Sequence, residues 1–112
     1  MKDLIEQLDR FAADREWEPF HSPKNLAMAL SVEVAELVEH FQWLSQKQSY
    51  IEDPGKRAAI RSEIGDVLIY LVMLAGKLGI DPLRAARDKI KINAVKYPAD
   101  AVRGKAEKYN QA

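Results

Sequence analysis

SVEVAELVEHFQW, residues 31–43, sets apolar Val34, Leu37, Val38 and Phe41 at spacings of three and four, with Glu33, Glu36 and Glu39 at every third position. That spacing is the period of an α-helix with one face turned to a core. Upstream, Ser22-Pro23 is an N-cap and first-turn pair that starts this helix. Downstream, the pattern runs to about Gln46. A similar amphipathic pattern lies 30 residues on, as any two such helices aligned on acids would show in part, with Glu63 and Asp66 bordering a stripe of Ile60, Ile64, Val67, Leu68, Leu71 and Leu74. Its helix is expected from about Lys56 to Leu78, stopping at Gly79. A first helix is expected from about Leu4 to Asp14, and Asp81-Pro82 opens a fourth that reaches about Tyr97, before Pro98. REWEPFHSPKN (15–25) and QKQSYIEDPG (46–55) read as connectors, because Pro19, Pro23 and Pro54 break helices. Alternating strand patterns bounded by Asn-Gly or Asp-Gly turns are missing. The expectation is an all-α four-helix bundle, one domain over residues 1–112, with an irregular polar tail at 98–112.

Composition narrows the function. Lys plus Arg and Asp plus Glu number 17 each, so the formal net charge is zero. A nucleic-acid polymer or an anionic membrane calls for a basic excess that this chain lacks. There is no cysteine, which excludes thiolate metal sites, disulfides and Cys nucleophiles. The N-terminus MKDLIEQLDRF has no apolar signal region, and the longest apolar run, VLIYLVMLAG (67–76), is too short to span a bilayer. A cytoplasmic protein is expected. The third helix is apolar almost all round from Val67 to Ala75. A chain of 112 residues can hardly cover such a helix alone, so a partner subunit and a homo-oligomer are expected.

Glu33 and Glu36, and likewise Glu63 and Asp66, lie three residues apart on one helical face at the edge of the apolar stripe. Glu39 falls further toward solvent. If the stripes pack together, E-x-x-E and E-x-x-D face each other across a cleft. Two carboxylates about 6 Å apart repel by roughly 3 kcal/mol at an effective dielectric of about 20. Divalent cations, proton uptake or wide separation must offset this. Cations are the economical answer, and oxygen ligands suit magnesium, manganese or calcium. A di-iron site would need Glu-x-x-His pairs, and the third helix has no histidine. Each E-x-x-E alone also fits a solvated face. Trp17 and Trp43 fit core or interface aromatics equally well, and His21 fits a plain loop residue. Lys89, Asn93 and Lys96, on one helical face, fit solvated charges, and Tyr97-Pro98 fits a helix end.

These residues together resemble the dCTP pyrophosphatase family, within the all-α, MazG-like nucleoside triphosphate pyrophosphohydrolases. The resemblance is carried, in order, by REWEPFHSPKNL (15–26), EVAELVEHFQW (33–43), SEIGDVLIYLVMLA (62–75), KIKINAVKYP (89–98) and RGKAEKY (103–109). It implies magnesium-dependent hydrolysis, with manganese as a possible substitute, of a deoxynucleoside triphosphate to the monophosphate and pyrophosphate. The substrate implied is dCTP or a 5-modified dCTP. It implies metal ligation and catalysis by Glu33, Glu36, Glu63 and Asp66. Trp43 and Tyr70 are implied as substrate contacts, with Trp17, Phe20 and His21 wrapping base and sugar and Asn25 beside them. Lys89, Asn93 and Lys96, next to Tyr97, are implied at the phosphates, with Arg103, Lys108 and Tyr109 closing over them. It also implies a homotetramer built as a dimer of dimers. Some animal members carry a histidine where this chain has Leu8, which bears on base preference and not on the chemistry. Rival readings are a MazG-like enzyme for dUTP or other non-canonical nucleotides, and a non-catalytic helical oligomerisation module.

Overall fold

The computed structural model describes residues 1–103. Helices α1 (Lys2–Asp14), α2 (Pro23–Glu39), α3 (Pro54–Lys77), α4 (Pro82–Lys96) and the short α5 (Ala99–Val102) follow in order, with a 3₁₀ turn at Glu18–Phe20. There is no strand among the described residues, and none of their helices is long and apolar enough to cross a membrane. The all-α expectation holds. The chain divides into two compact units, Met1–Gly79 and Ile80–Ala112. In the first, α2 and α1 each pack against α3. The second carries α4 and α5.

Three helices start by the same device. Ser22 Oγ accepts from Asn25 N at 3.1 Å, Asp53 Oδ2 from Lys56 N at 2.9 Å, and Asp81 Oδ1 from Leu83 N at 3.0 Å. In each a proline follows in the first turn, with its φ preset and no N–H to leave unpaired. Gly79, at φ +67°, follows the end of α3.

Two boundaries depart from the sequence reading. α2 ends at Glu39, short of Gln46. Past it the bonds tighten, with Phe41 N to Val38 O at 2.9 Å and Leu44 N to Phe41 O at 2.9 Å. Ser45 and Gln48 then form a reciprocal capping box. Gln48 N donates to Ser45 Oγ at 3.1 Å, and Ser45 N donates to Gln48 Oε1 at 3.0 Å. This box starts a new turn and competes with continuation of α2. Trp43 and Leu44 therefore lie past the end of α2, not inside a helix that runs to Gln46. The second departure is α5, one helical turn where an irregular tail was expected.

α1 ends in a Schellman motif. Trp17 N donates to Ala12 O and Glu16 N to Ala13 O, both at 3.1 Å, with Glu16 in the left-handed region at φ 54°. The hydrophobic contact that accompanies such an ending is present as an edge-to-face pair, Phe11 and Trp17, with centroids 5.6 Å apart. Arg15 lies 3.6 Å over the Phe11 ring and donates to Phe11 O at 3.2 Å. Left-handed backbone is unfavourable for a residue with a Cβ. Glu16→Gly is therefore expected to stabilise the protein by about 0.5–1 kcal/mol, a rise in Tm of a few degrees by calorimetry.

The buried apolar core of the described residues is small: Ala12, Leu26, Val72 and Ala75. Val34 and Val38 on α2, and Ile64, Leu68 and Leu71 on α3, keep more than a third of their surface exposed. The expectation of an uncovered α3 is met by this surface.

Candidate metal and nucleotide site

The pairing of α2 with α3 brings the two acidic pairs together. Glu33, Glu36 and Glu63 each offer an oxygen within 4.8 Å of the others. All three are half-buried. Glu33 Oε2 and Glu63 Oε2 are themselves buried and have no hydrogen-bond partner among the described residues. Unpartnered buried oxygens are costly, because no donor replaces the water they lose. The Glu33 carboxyl is pushed up from 4.5 to about 7. Burial contributes most, followed by the hydrogen-bonded Glu36 carboxyl and then the charges of Glu36, Asp66 and Glu63. Burial, Glu36 and Asp66 raise Glu63 as well, while the charge of His40 pulls it down. An oxygen-only set with orphaned lone pairs fits a hard divalent cation.

Asp66 lies outside the triangle of close oxygens, although its charge acts on both Glu33 and Glu63. It lines an adjoining cavity of about 200 Å³ with Trp17, His21 and Tyr70, closed by Leu8, Phe11, Ile69 and Met73. That volume lies below the usual ~300–1,000 Å³ of drug-sized ligand sites, and suits a single ring. Trp17 reaches this wall through the Schellman ending of α1, and His21 meets the Trp17 ring edge-on at 6.4 Å. Asn25 Nδ2 donates to Phe20 O at 3.1 Å, so Asn25 braces the connector that carries His21. Phe20 itself is exposed.

Other residues singled out in the sequence fall elsewhere. Trp43 stands 87% exposed in the turns after α2, outside this cavity. Lys89, Asn93 and Lys96 are exposed on α4, in the second unit. Asn93 O accepts from Tyr97 N at 2.7 Å, and Arg103 pairs with Asp100 at 3.6 Å. Lys108 and Tyr109 lie outside the described residues. Sequence reading missed Phe11, Ile69 and Met73 as cavity walls and His40 as a charge felt by Glu63, because each looked like part of a helix face.

The sequence model of the MazG-like family matches residues 28–111. The chain belongs to the MazG-like family. It is 44% identical to the dCTP pyrophosphatase 1 of Rattus norvegicus over 97% of this chain and 65% of that protein. It is 42% identical to the dCTP pyrophosphatase 1 of Homo sapiens over 99% of this chain and 66% of that protein. The chain thus spans just under two thirds of the length of these relatives. The crystal structure of a pyrophosphatase from Archaeoglobus fulgidus superimposes with a TM-score of 0.82 at 40% identity, covering 88% of this chain and 92% of that one. These matches bear out the resemblance drawn from the motifs.

Proposed function

We propose that this chain is a nucleoside triphosphate pyrophosphohydrolase that hydrolyses dCTP or a 5-modified dCTP to the monophosphate and pyrophosphate, using magnesium, with manganese as a substitute. The observation that carries the proposal is the carboxylate triangle with two orphaned buried oxygens, next to an aromatic cavity that Asp66 lines. Glu33, Glu36, Glu63 and Asp66 would hold the metal. When bound, the metal neutralises triphosphate charge and lowers the pKa of a water. Trp17 and Tyr70 hold the base by their ring faces, with Phe20, His21 and Asn25 shaping the entrance and Trp43 contributing from its exposed turn. Lys89, Asn93, Lys96 and Tyr97, with Arg103, Lys108 and Tyr109, bind phosphate oxygens. Water attacks the α-phosphorus, the bond to the bridging oxygen of the β-phosphate breaks, and pyrophosphate leaves with that electron pair. No Ser, Cys or His nucleophile is required.

The protein acts as one domain over residues 1–112, in the cytoplasm, on free nucleotides and not on nucleic acid or membranes. The family match runs across both compact units, which supports a single functional domain. A homotetramer, a dimer of dimers, would cover the apolar stripes of α2 and α3. Each large apolar side chain fully buried contributes about 1.5–3 kcal/mol, so a handful of them supplies what the small core lacks. Light scattering is expected to give a multiple of the 12.7 kDa subunit. Leu71→Asp is expected to reduce that mass and lower Tm by ~10 °C or more, since it leaves a charge in an apolar contact. A monomeric wild-type protein would refute the assembly.

One assay tests the function: pyrophosphate release from dCTP, 5-methyl-dCTP, dUTP and the other nucleotides, with and without EDTA. Pyrophosphate from dCTP that vanishes with EDTA is expected. Orthophosphate would mean a different reaction, and a preference for dUTP would move the base assignment. Thermal stabilisation by magnesium but not by nucleotide, with no product, would indicate a non-catalytic module.

A further inference from the structure

Beside the 200 Å³ ring cavity lies a second, larger cavity of about 390 Å³. The two adjoin, because Leu8, His21 and Met73 line both. The larger one runs between α1 and the C-terminal part of α3, and its floor includes Gly76. A Cβ built on Gly76 would meet nothing within 4 Å, so the space there is open to added atoms. Besides the shared His21, its polar lining is Asp9 and Glu18 with one lysine, Lys77. None of these three side chains has an ion-pair or hydrogen-bond partner among the described residues. The triphosphate chemistry already assigned does not use this space, and a bare pyrimidine ring would leave it open.

The geometry points to a second subsite for a substituent on the base, extending past Leu8 and ending in a cationic or hydrogen-bond-donating group. The inference rests on the proposed nucleotide reading and adds a substrate class to it: nucleoside triphosphates whose base carries an extended, amine-terminated tail. The ring occupies the cavity of Trp17 and Tyr70. The tail passes between Leu8 and Met73, its methylenes lie along apolar wall, and its ammonium meets Asp9 and Glu18. Two carboxylates against one lysine leave an excess negative charge, which favours an amine over a neutral or acidic tail of equal length. An acidic tail is disfavoured on the same ground.

The test compares dCTP with nucleotides carrying an aminoalkyl tail at C5 or at N4, and with a neutral acylated tail of the same length, by pyrophosphate release. For at least one attachment point, kcat/KM for the amine-tailed nucleotide is expected within about fivefold of that for dCTP. Gly76→Phe fills the larger cavity and is expected to lower the ratio of amine-tailed to dCTP kcat/KM by about tenfold or more. Gly76→Ala, which adds one methyl group, reports on any general effect of altering α3 and is expected to leave the ratio near wild type. Asp9→Asn is expected to weaken the amine tail and leave the neutral tail unaffected. Hydrolysis of dCTP with rejection of both amine-tailed nucleotides by about 100-fold or more would overturn the subsite alone. So would a Gly76→Phe ratio equal to wild type. Absence of pyrophosphate from dCTP itself would instead overturn the proposed function, and the subsite with it.

Discussion

Glu63→Gln is expected to lower pyrophosphate release by about 1,000-fold or more while leaving the fold intact. The change keeps the shape of the side chain and removes one negative charge from the triangle. An amide carbonyl is a poor replacement for a carboxylate on a hard cation, because it brings no charge to neutralise. The same change relieves repulsion in the metal-free protein, since Glu63 sits among Glu33, Glu36 and Asp66 with one oxygen buried and unpartnered. Turnover and stability should therefore move in opposite directions: kcat collapses and the metal-free Tm stays level or rises. A loss of activity through misfolding would move both downward. Glu39→Gln is the matched control, because Glu39 closes α2 on its exposed side. Full activity in Glu63→Gln would remove Glu63 from the ligand set.

The contrast between Glu39 and its neighbours was legible from helical spacing alone. So were the caps at Ser22 and Asp81, because each is a Ser or Asp followed by Pro, a local signal that packing need not supply. Asp53-Pro54 carries the same signal but read as the turn of a connector, whereas Asp53 caps a helix that starts at Pro54. The approach of Glu33 and Glu36 to Glu63 also followed from the two acidic pairs, but Asp66 stays outside their triangle, and Val34, Val38, Ile64, Leu68 and Leu71 of the two stripes remain more than a third exposed. What failed was continuation. Periodicity alone carried α2 on to Gln46, whereas the helix ends at Glu39, passes through tighter turns at Phe41 and Leu44, and gives way to a new turn at the Ser45–Gln48 box. The capping-box signal S-x-x-Q is present at 45–48 but was not read from the sequence. The placing of Trp17 was less accessible. It depends on Glu16 taking a left-handed conformation that usually marks glycine, so no composition rule announces it. Phe11 and Met73 looked like core residues because helix periodicity does not distinguish a wall packed on protein from a wall facing a cavity.

Metal binding and pH should act on stability through the same carboxylates. The Glu33 carboxyl stands at about 7 against an ordinary 4.5, and Glu63 is raised as well. A group with a raised native pKa binds its proton more tightly folded than unfolded. Its stabilising contribution is complete below about pH 4.5 and is lost as pH rises to about 7, so metal-free stability should fall across that window and then level off. A divalent cation needs the same groups deprotonated, and its effect should grow over the same range. At pH 8, magnesium or manganese at about 100 times its Kd should add about 2.7 kcal/mol, on the order of 10 °C in Tm for a domain of this size. At pH 5 the increment should shrink to a small fraction of that. The readout is a set of calorimetric melts at several pH values, with EDTA or with metal, for wild type and for Glu33→Gln. The variant should show a flatter metal-free pH curve, because it has no proton to lose at that position, and a smaller response to metal. Equal stabilisation by metal at pH 5 and pH 8 would place the cation away from these carboxylates, since a site built from Glu33, Glu36 and Glu63 must compete with protons for their oxygens.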